Sequence, residues 1–383
     1  MFSNPGKRVT IIPTINNISQ SRPIEFYLKQ MMVEGCLMPI CLVDNSDSFT
    51  YGLNRRYLSE VREELGKDII IYHFGVLEQE RFFKELIKNG VDNSFIVMLK
   101  TSSGYGVARN KCFIFAKSIC AESIFFFDDD TRPDDNIFKK HYDILGTKKG
   151  SQKISVVSGP YKGARGVDFS FIENPRDQIR FLEAIGHHGD SSLNYLKKSE
   201  ERGGNTANKR DGDKIEAVKN IRGGNFLIDK VYEDIVCPTM KQTPGIDDTF
   251  IARRVIEKGC QVVKSQFAVI HERFKIRRNE ASILKYIESW GRALAFELLY
   301  DGASCESAIK RVLKYGRGLC SLESRYCKRV GENLLNRVYV ELLVKDIAGG
   351  LSDYQRLREA WKLIIDVSSG IKVAPLQDVE STV

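Results

Sequence analysis

At 383 residues, 42% hydrophobic and 28% charged, the chain has the composition of a globular protein that can bury a sizeable core. No apolar stretch approaches the ~20 residues that cross a bilayer as a helix, which excludes a spanning helix as the organising element. The net charge of +8 comes from dispersed lysines and arginines, so a solvated surface is expected and no nucleic-acid partner. Nine cysteines are an odd number without C-x-x-C spacing, so neither a disulfide framework nor a zinc site is expected. Residues Met1–Arg8 lack the apolar core of a signal peptide, which reads as a cytoplasmic protein.

Val9-Thr10-Ile11-Ile12-Pro13 predicts a first strand, and residues 23–34 a helix. Pro39–Val43 predicts a second strand, closed by Asp44-Asn45-Ser46-Asp47-Ser48, a dense turn signal. A helix near 53–65, a strand at Ile69–Tyr72 and a helix near 78–88 follow, and the apolar run Phe95–Leu99 continues the alternation. Residues 105–120 read as a helix with Ala108, Cys112, Phe115 and Ala116 on one face. Ile124-Phe125-Phe126-Phe127 then reads as a strand buried on both faces. This alternation predicts an α/β fold, a mostly parallel sheet flanked by helices. From about 145 to 220 the pattern weakens, and the polar stretch Glu200–Asp213 reads as a loop. Gly223–Ile228, a helix over 247–258 and short strands at Gln261–Lys264 and Ala268–Ile270 restore the pattern, which is helical beyond residue 276.

Three adjacent carboxylates, Asp128-Asp129-Asp130, end the apolar strand. They cannot stay buried unless something neutralises them. Strand ends are where open α/β sheets bind ligands. Clustered acidic oxygens suit a hard cation, Mn²⁺ or Mg²⁺, that also holds phosphates. The plainer alternative is a solvated turn leading into a helix, with Pro133 near its first turn. Asp44 follows another strand and, taken alone, reads as an Asx turn. Gly104–Asn110 opens a helix with free backbone N–H groups and Arg109 on its first turns, which suits an anion. Asp247-Asp248, after Pro244-Gly245, opens another helix, either as capping carboxylates or as a general base aimed into a cleft. His271 leaves the core at a strand end, as the aspartates do.

In this order the segments resemble the nucleotide-sugar-dependent glycosyltransferases of the GT-A fold, family 2 above all, over about the first 275 residues. Val9–Asn16 is similar to the opening strand and its P-T-x-N turn, with Pro13 and Thr14. Leu42–Asp47 resembles the segment whose aspartate, here Asp44, holds the nucleobase. Ala108-Arg109-Asn110 and Asp128-Asp129-Asp130 are similar to the A-R-N helix and the D-x-D motif. Gly223-Gly224-Asn225-Phe226 resembles the loop lining the sugar site. Ile246-Asp247-Asp248 resembles the x-E-D motif with Asp for the usual Glu, and His271 matches a histidine that reaches the cation or the diphosphate.

The resemblance implies a GT-A, Rossmann-like catalytic domain over 1–275, with a donor-binding half to about 145 and an acceptor-binding half over 146–275. It implies transfer of a sugar from a nucleotide-diphosphate sugar, a UDP-sugar first, to a hydroxyl on a glycan, a lipid-linked or a small-molecule acceptor. Pro13, Thr14, Asp44, Arg109, Asp128, Asp129, Gly223 and Gly224 would bind the nucleotide sugar. Asp130, Asp128 and His271 would hold Mn²⁺ or Mg²⁺. Asp248 would be the base of an inverting reaction, and Asp247 would orient the acceptor. The alternatives are a retaining transferase on the same fold, a nucleotidyltransferase, or a non-catalytic binder of RNA or membrane. Residues 276–383 read as helices packed on the catalytic domain or on a second copy of the chain. Peripheral contact with the anionic inner membrane face is the lesser alternative.

Overall fold

Apolar runs too continuous to face water become the middle of one sheet. The structure, a computed structural model, describes residues 8–66, 68–101, 104–133, 136–162, 171–185, 215–219, 221, 223–239, 246–271 and 279–376. The side chains of Thr101, Lys162, Ile246, Asp247 and His271 lie outside that description, as do Glu200–Asp213 and the Pro244-Gly245 turn.

The chain begins with β1 (Arg8–Thr14), α1 (Pro23–Val33), β2 (Ile40–Asp44), α2 (Ser48–Leu65), β3 (Ile71–Phe74) and α3 (Val76–Lys88). There follow α4 (Asn93–Thr101), α5 (Tyr105–Ser118), β4 (Ser123–Phe127), β5 (Thr131–Pro133), α6 (Ile137–Ile144), β6 (Lys148–Lys149), β7 (Gln152–Ser158) and β8 (Tyr161–Lys162). After α7 (Pro175–Ala184) come β9 (Glu216–Ala217), β10 (Asn225–Asp229), a 3₁₀ turn at Lys230–Asp234, α8 (Ile246–Glu257), β11 (Gln261–Lys264) and β12 (Val269–His271). Helices α9 (Glu280–Tyr300), α10 (Cys305–Cys320), α11 (Arg325–Leu335) and α12 (Arg337–Ser368) close the chain.

Among the described residues the main sheet has the order β3-β2-β1-β4-β10-β7-β11-β9, with β6 paired to β7. The pairs β1–β2, β1–β4, β2–β3 and β7–β11 are parallel, while β10 runs antiparallel between β4 and β7. The result is the α/β, mostly parallel sheet that the alternation predicts. The chain winds outward from β1 to β3 and then returns to lay β4 on the other side of β1. In wound sheets such a reversal leaves a crevice outside the carboxyl ends of the strands on either side, here β1 and β4. A small second sheet, β5-β12-β8, forms from segments that follow β4, β7 and β11.

Strand β4 is apolar at successive positions because both its faces are covered. Ile124 and Phe126 join the core on one side, Phe125 and Phe127 the core on the other. Phe126 stacks on Phe226 at 4.6 Å between ring centroids, and Phe127 on Tyr27 at 4.0 Å. Leu28, Leu58 and Phe138 of α1, α2 and α6 cover the second face. The first face is covered by Phe82, Phe113 and Ile251 of α3, α5 and α8, and the same cluster runs on through Leu294, Val312, Leu334 and Trp361. Helices α9 to α12 therefore extend the core of the sheet rather than forming a separate one, and α12 lies against α3 and α5. Beyond α12 the Leu376 amide donates to the Ile71 carbonyl at 2.7 Å, which pairs part of the edge at β3.

Three expectations need correction. Phe95–Leu99 belongs to helix α4: Ile96 and Leu99 are buried three residues apart, Val97 is exposed, and Asp92 accepts the Ser94 amide at the helix start. A short apolar run fits a strand or a buried helix equally, and packing decided. Thr131–Pro133 is a strand paired with β12, so Pro133 does not open a helix; α6 begins later, after Asn136. Within the weakly patterned stretch 145–220, β7 is an inner strand with Ile154, Val156 and Val157 buried. No helix among the described residues is long and apolar enough to cross a membrane, and all nine cysteines are free thiols.

Helices α10 and α11 meet through glycines. A Cβ on Gly331 would lie 2.8 Å from the Gly316 carbonyl oxygen and 2.9 Å from the Cys320 amide nitrogen, backbone atoms that cannot swing aside. Gly331→Ala is therefore expected to cost about 1–3 kcal/mol by overpacking, read by urea unfolding. Gly349→Ala, on an open face of α12 with nothing within 4 Å, is expected to be neutral or to stabilise by up to about 1 kcal/mol.

Candidate active site

Parallel strands bring their carboxyl ends to one edge of the sheet, and pairing register decides which residues meet there. Thr14 lies opposite Asp44, and Asn225 opposite Phe127, so Gly224 falls beside Asp128. In the small sheet His271 lies opposite Thr131, which brings its backbone next to the residue that follows Asp130. Thr131 is pinned in turn: its hydroxyl donates to the Asp128 carbonyl at 2.7 Å and lies 2.8 Å from the Tyr27 hydroxyl.

Tyr161 ties the two sides of the crevice together. Its hydroxyl accepts from the Gly224 amide at 2.6 Å and donates to Asp128 Oδ2 at 3.1 Å. Burial, and then the charges of Asp128 and Asp248, hold the phenol well above its ordinary pKa, so it stays a donor. A Cβ on Gly224 would fall 2.0 Å from Asp128 Oδ2, and one on Gly223 would fall 2.3 Å from Asp248 Oδ1. Only glycines let the loop before β10 lie this close to both carboxylates.

Arg109 occupies the centre. Helix α5 carries it inward, 3% exposed, and its Nη2 donates to the Gly223 carbonyl at 2.7 Å. The same nitrogen lies 3.9 Å from Asp128 Oδ1 and 3.8 Å from Asp248 Oδ1. The guanidinium carbon sits 4.9 Å from the Phe126 ring centroid and 5.5 Å from that of Phe226. Asp248 Oδ2 accepts the Gly223 amide at 2.9 Å, so the first turn of α8 is fastened to the same loop. Beside Arg109, Asn110 exchanges hydrogen bonds with both backbone groups of Cys237, at 2.8 and 2.7 Å, which fixes how α5 sits.

The remaining carboxylates divide by environment. Asp129 turns toward β1, where its Oδ2 accepts from the Thr14 hydroxyl and from Asn16 Nδ2. Burial raises its pKa despite those bonds, and Asp128 adds to the rise. Asp44 is 1% exposed, and its oxygens are engaged by His73 Nε2 at 3.0 Å, Asn54 Nδ2 at 2.9 Å and the Ser46 amide at 2.9 Å. Burial pushes its pKa up, but the bonds from His73, Ser46 and Asn54 outweigh it and leave the carboxyl below its ordinary range. Pro13 lies within β1 opposite Val43. Asp247 is on the first turn of α8 and His271 ends β12.

Carboxylates at the end of β4 fit a hard divalent cation, which needs only one or two of them when phosphates complete its shell. Among the described residues no three potential ligands converge. Tyr161, Asn16 and Lys111 were not among the residues expected at the site. Gly159-Pro160, directly after the buried strand end at Ser158, is the sequence signal available for Tyr161. Lys111 is buried, donates to Asn45 Oδ1 at 2.7 Å, and has its pKa pulled down to about 8 by burial.

No family model and no curated protein matches the chain. Among solved structures, a mannosyltransferase from Pyrobaculum calidifontis in complex with GDP-Man and Mn²⁺ aligns over 95% of this chain and 86% of its own, at 13% identity and a TM-score of 0.39. Mouse xyloside xylosyltransferase 1, in its apo form, aligns over 67% of this chain and 83% of its own, at 11% identity and a TM-score of 0.32. Both neighbours are glycosyltransferases; similarity of this size assigns neither a family nor an activity to the chain.

The Asp44 cluster gives a test with a definite sign. A carboxyl whose folded pKa lies below its ordinary 3.8 adds stability above that value and loses it as pH falls through the folded pKa. Asp44→Asn is expected to cost about 2 kcal/mol at pH 7, the scale of hydrogen bonds to a charged group. The gap to wild type in urea unfolding should narrow as pH drops below 3.8. A gap that does not change with pH would show that the charge of Asp44 is not what these bonds stabilise.

Proposed function

We propose that the chain is a GT-A-type, family 2-like glycosyltransferase that moves a sugar from a nucleotide-diphosphate sugar to an acceptor hydroxyl. One observation carries the reading: carboxylates from the end of β4 and the start of α8 face each other across Arg109, with a glycine loop between them. A donor diphosphate suits the first side and an acceptor the second. Arg109, Asp128, Gly223, Gly224 and Asp248 lie together near the point where the strand order reverses, which supports this reading.

In this reading Asp248 takes the proton from the acceptor hydroxyl as its oxygen attacks the anomeric carbon. The bond from that carbon to the diphosphate oxygen breaks, the electron pair leaves with the nucleoside diphosphate, and the anomeric centre inverts. Asp130 and Asp128, with His271 at the paired strand end, would hold Mn²⁺ or Mg²⁺, which neutralises charge growing on the diphosphate. Asp247 orients the acceptor. Gly223 and Gly224 admit the sugar to a place where a side chain would displace the carboxylates. Arg109 is a positioning residue: it keeps Asp128 and Asp248 at fixed places and offsets their mutual repulsion. Thr14 and Asn16 hold Asp129, and Asp44 orders the turn after β2 from below, so Asn45 and Ser46 are the nearer surface for the nucleobase.

The test is release of nucleoside diphosphate from UDP- and GDP-sugars in the presence of Mn²⁺, with the anomeric configuration of the product read by NMR. Asp248→Asn should lower transfer by at least about a hundredfold, the scale of a general base, while donor binding survives. Unchanged turnover would remove Asp248 from the role. Asp130→Ala should instead weaken donor binding, and only when metal is present.

A further inference from the structure

A cationic cavity lies away from the crevice, where α8 meets the C-terminal helices. It is an open-sided space of about 420 Å³ between α8, the end of α9 and the middle of α12. Arg253 and Arg254 line it from α8, Tyr300 from α9, and Tyr354, Gln355 and Arg358 from α12. One carboxylate, Glu257, is also in the lining; it accepts from Arg253 Nε at 3.0 Å and from Arg254 Nη1. Arg253 is further held by Asp301 at 2.5 Å and lies over the Tyr300 ring at 4.5 Å. Against the two carboxylates Glu257 and Asp301, the three guanidinium groups leave a surplus of one positive charge.

One lining residue carries the observation that points to a ligand. Tyr354 is 1% exposed, and its hydroxyl has no hydrogen-bond partner among the described residues. Buried hydroxyls are as a rule hydrogen-bonded, so a buried one without a partner, on a residue that lines a cationic cavity, is a place that an acceptor atom could complete. Burial raises the phenol well above its ordinary pKa, while the charges of Arg254 and Arg358 pull the other way; it remains a donor. The Arg358 guanidinium and the Gln355 amide line the cavity and, like the Tyr354 hydroxyl, can donate. Arginine forks match phosphate oxygens in geometry as well as charge.

We propose that this cavity is a binding site for a phosphate-bearing small molecule, separate from the crevice at the strand ends. Its volume falls within the range of small-ligand pockets and leaves room for a compact organic group beyond the phosphate. The site shares a helix with Asp248, and the Tyr354 ring packs edge-on against Phe250, two residues after that aspartate, at 5.3 Å between centroids.

The experiment is a ³¹P NMR titration of the full chain with inorganic phosphate, in chloride buffer without divalent cations. Saturable binding is expected, weakened at least about tenfold in Arg358→Gln, which removes a charge-assisted contact from an exposed position and leaves the core intact. Tyr354→Phe, which deletes only the hydroxyl, should also weaken it. Arg356→Gln, on the same helix but outside the cavity, should leave it unchanged. Absence of saturable binding to the wild type would overturn the proposal, as would binding that Arg358→Gln and Tyr354→Phe leave intact.

Discussion

The crevice depends on one buried guanidinium. Asp128 arrives at the end of a parallel strand and Asp248 on the first turn of a helix more than a hundred residues later, and both carry negative charge into a partly desolvated space. Without a cation between them they would repel, and each would lose hydration. Arg109 stands at nearly equal distances from both and donates to the carbonyl of the loop that separates them. It can do so because α5 is itself fixed, by Asn110 on the Cys237 backbone and by the packing of Phe113 against Phe126. The arginine in turn rests on Phe126 and Phe226, so the hydrophobic stacking of two antiparallel strands and the electrostatics of the crevice are one arrangement.

Close approach is the second requirement. The Gly223-Gly224 loop, the carboxylates and Tyr161 fit together only because no Cβ intervenes, and the Tyr161 hydroxyl converts that proximity into hydrogen bonds on both sides. Asp44 and Asp129 lie behind this front. Asp44 organises the turn after β2 from within the core, and Asp129 braces the crevice against β1. Adjacent acidic residues with the same sequence appearance therefore do different work, set by whether neighbouring donors or solvent surround them.

Much of this was legible in the sequence, for physical reasons. Ile124–Phe127 had to be an inner strand because four apolar residues leave no face for water, and three aspartates after it had to mark the sheet edge. The glycines at 223–224 and the carboxylates at 247–248 were visible as residue types at turns and helix starts. Phe95–Leu99 was not legible, since a five-residue apolar run carries no period of its own. Strand β7 and Tyr161 were obscured for a different cause: Gln152 and Lys153 at the strand's start dilute its apolar pattern, and its partner β10 is more than sixty residues away. The commitment of Asp44 to His73 and Asn54 was hidden because it is a three-body contact between β2, β3 and α2. The continuity of the core into α9–α12 could not be read either, as helical periodicity shows an apolar face but not what covers it.

Electron paramagnetic resonance of Mn²⁺ can report whether the strand-end crevice takes a metal-bound nucleoside diphosphate. Free Mn²⁺ would be measured with a nucleoside diphosphate alone, UDP or GDP, and then with the chain added. If the crevice binds the metal and nucleotide together, free Mn²⁺ falls further when protein and nucleotide are both present than with either alone. Asp130→Ala is expected to abolish the extra fall. A free Mn²⁺ signal no lower in the ternary mixture than with nucleotide by itself would contradict the assignment of the strand-end crevice to a metal-bound nucleoside diphosphate.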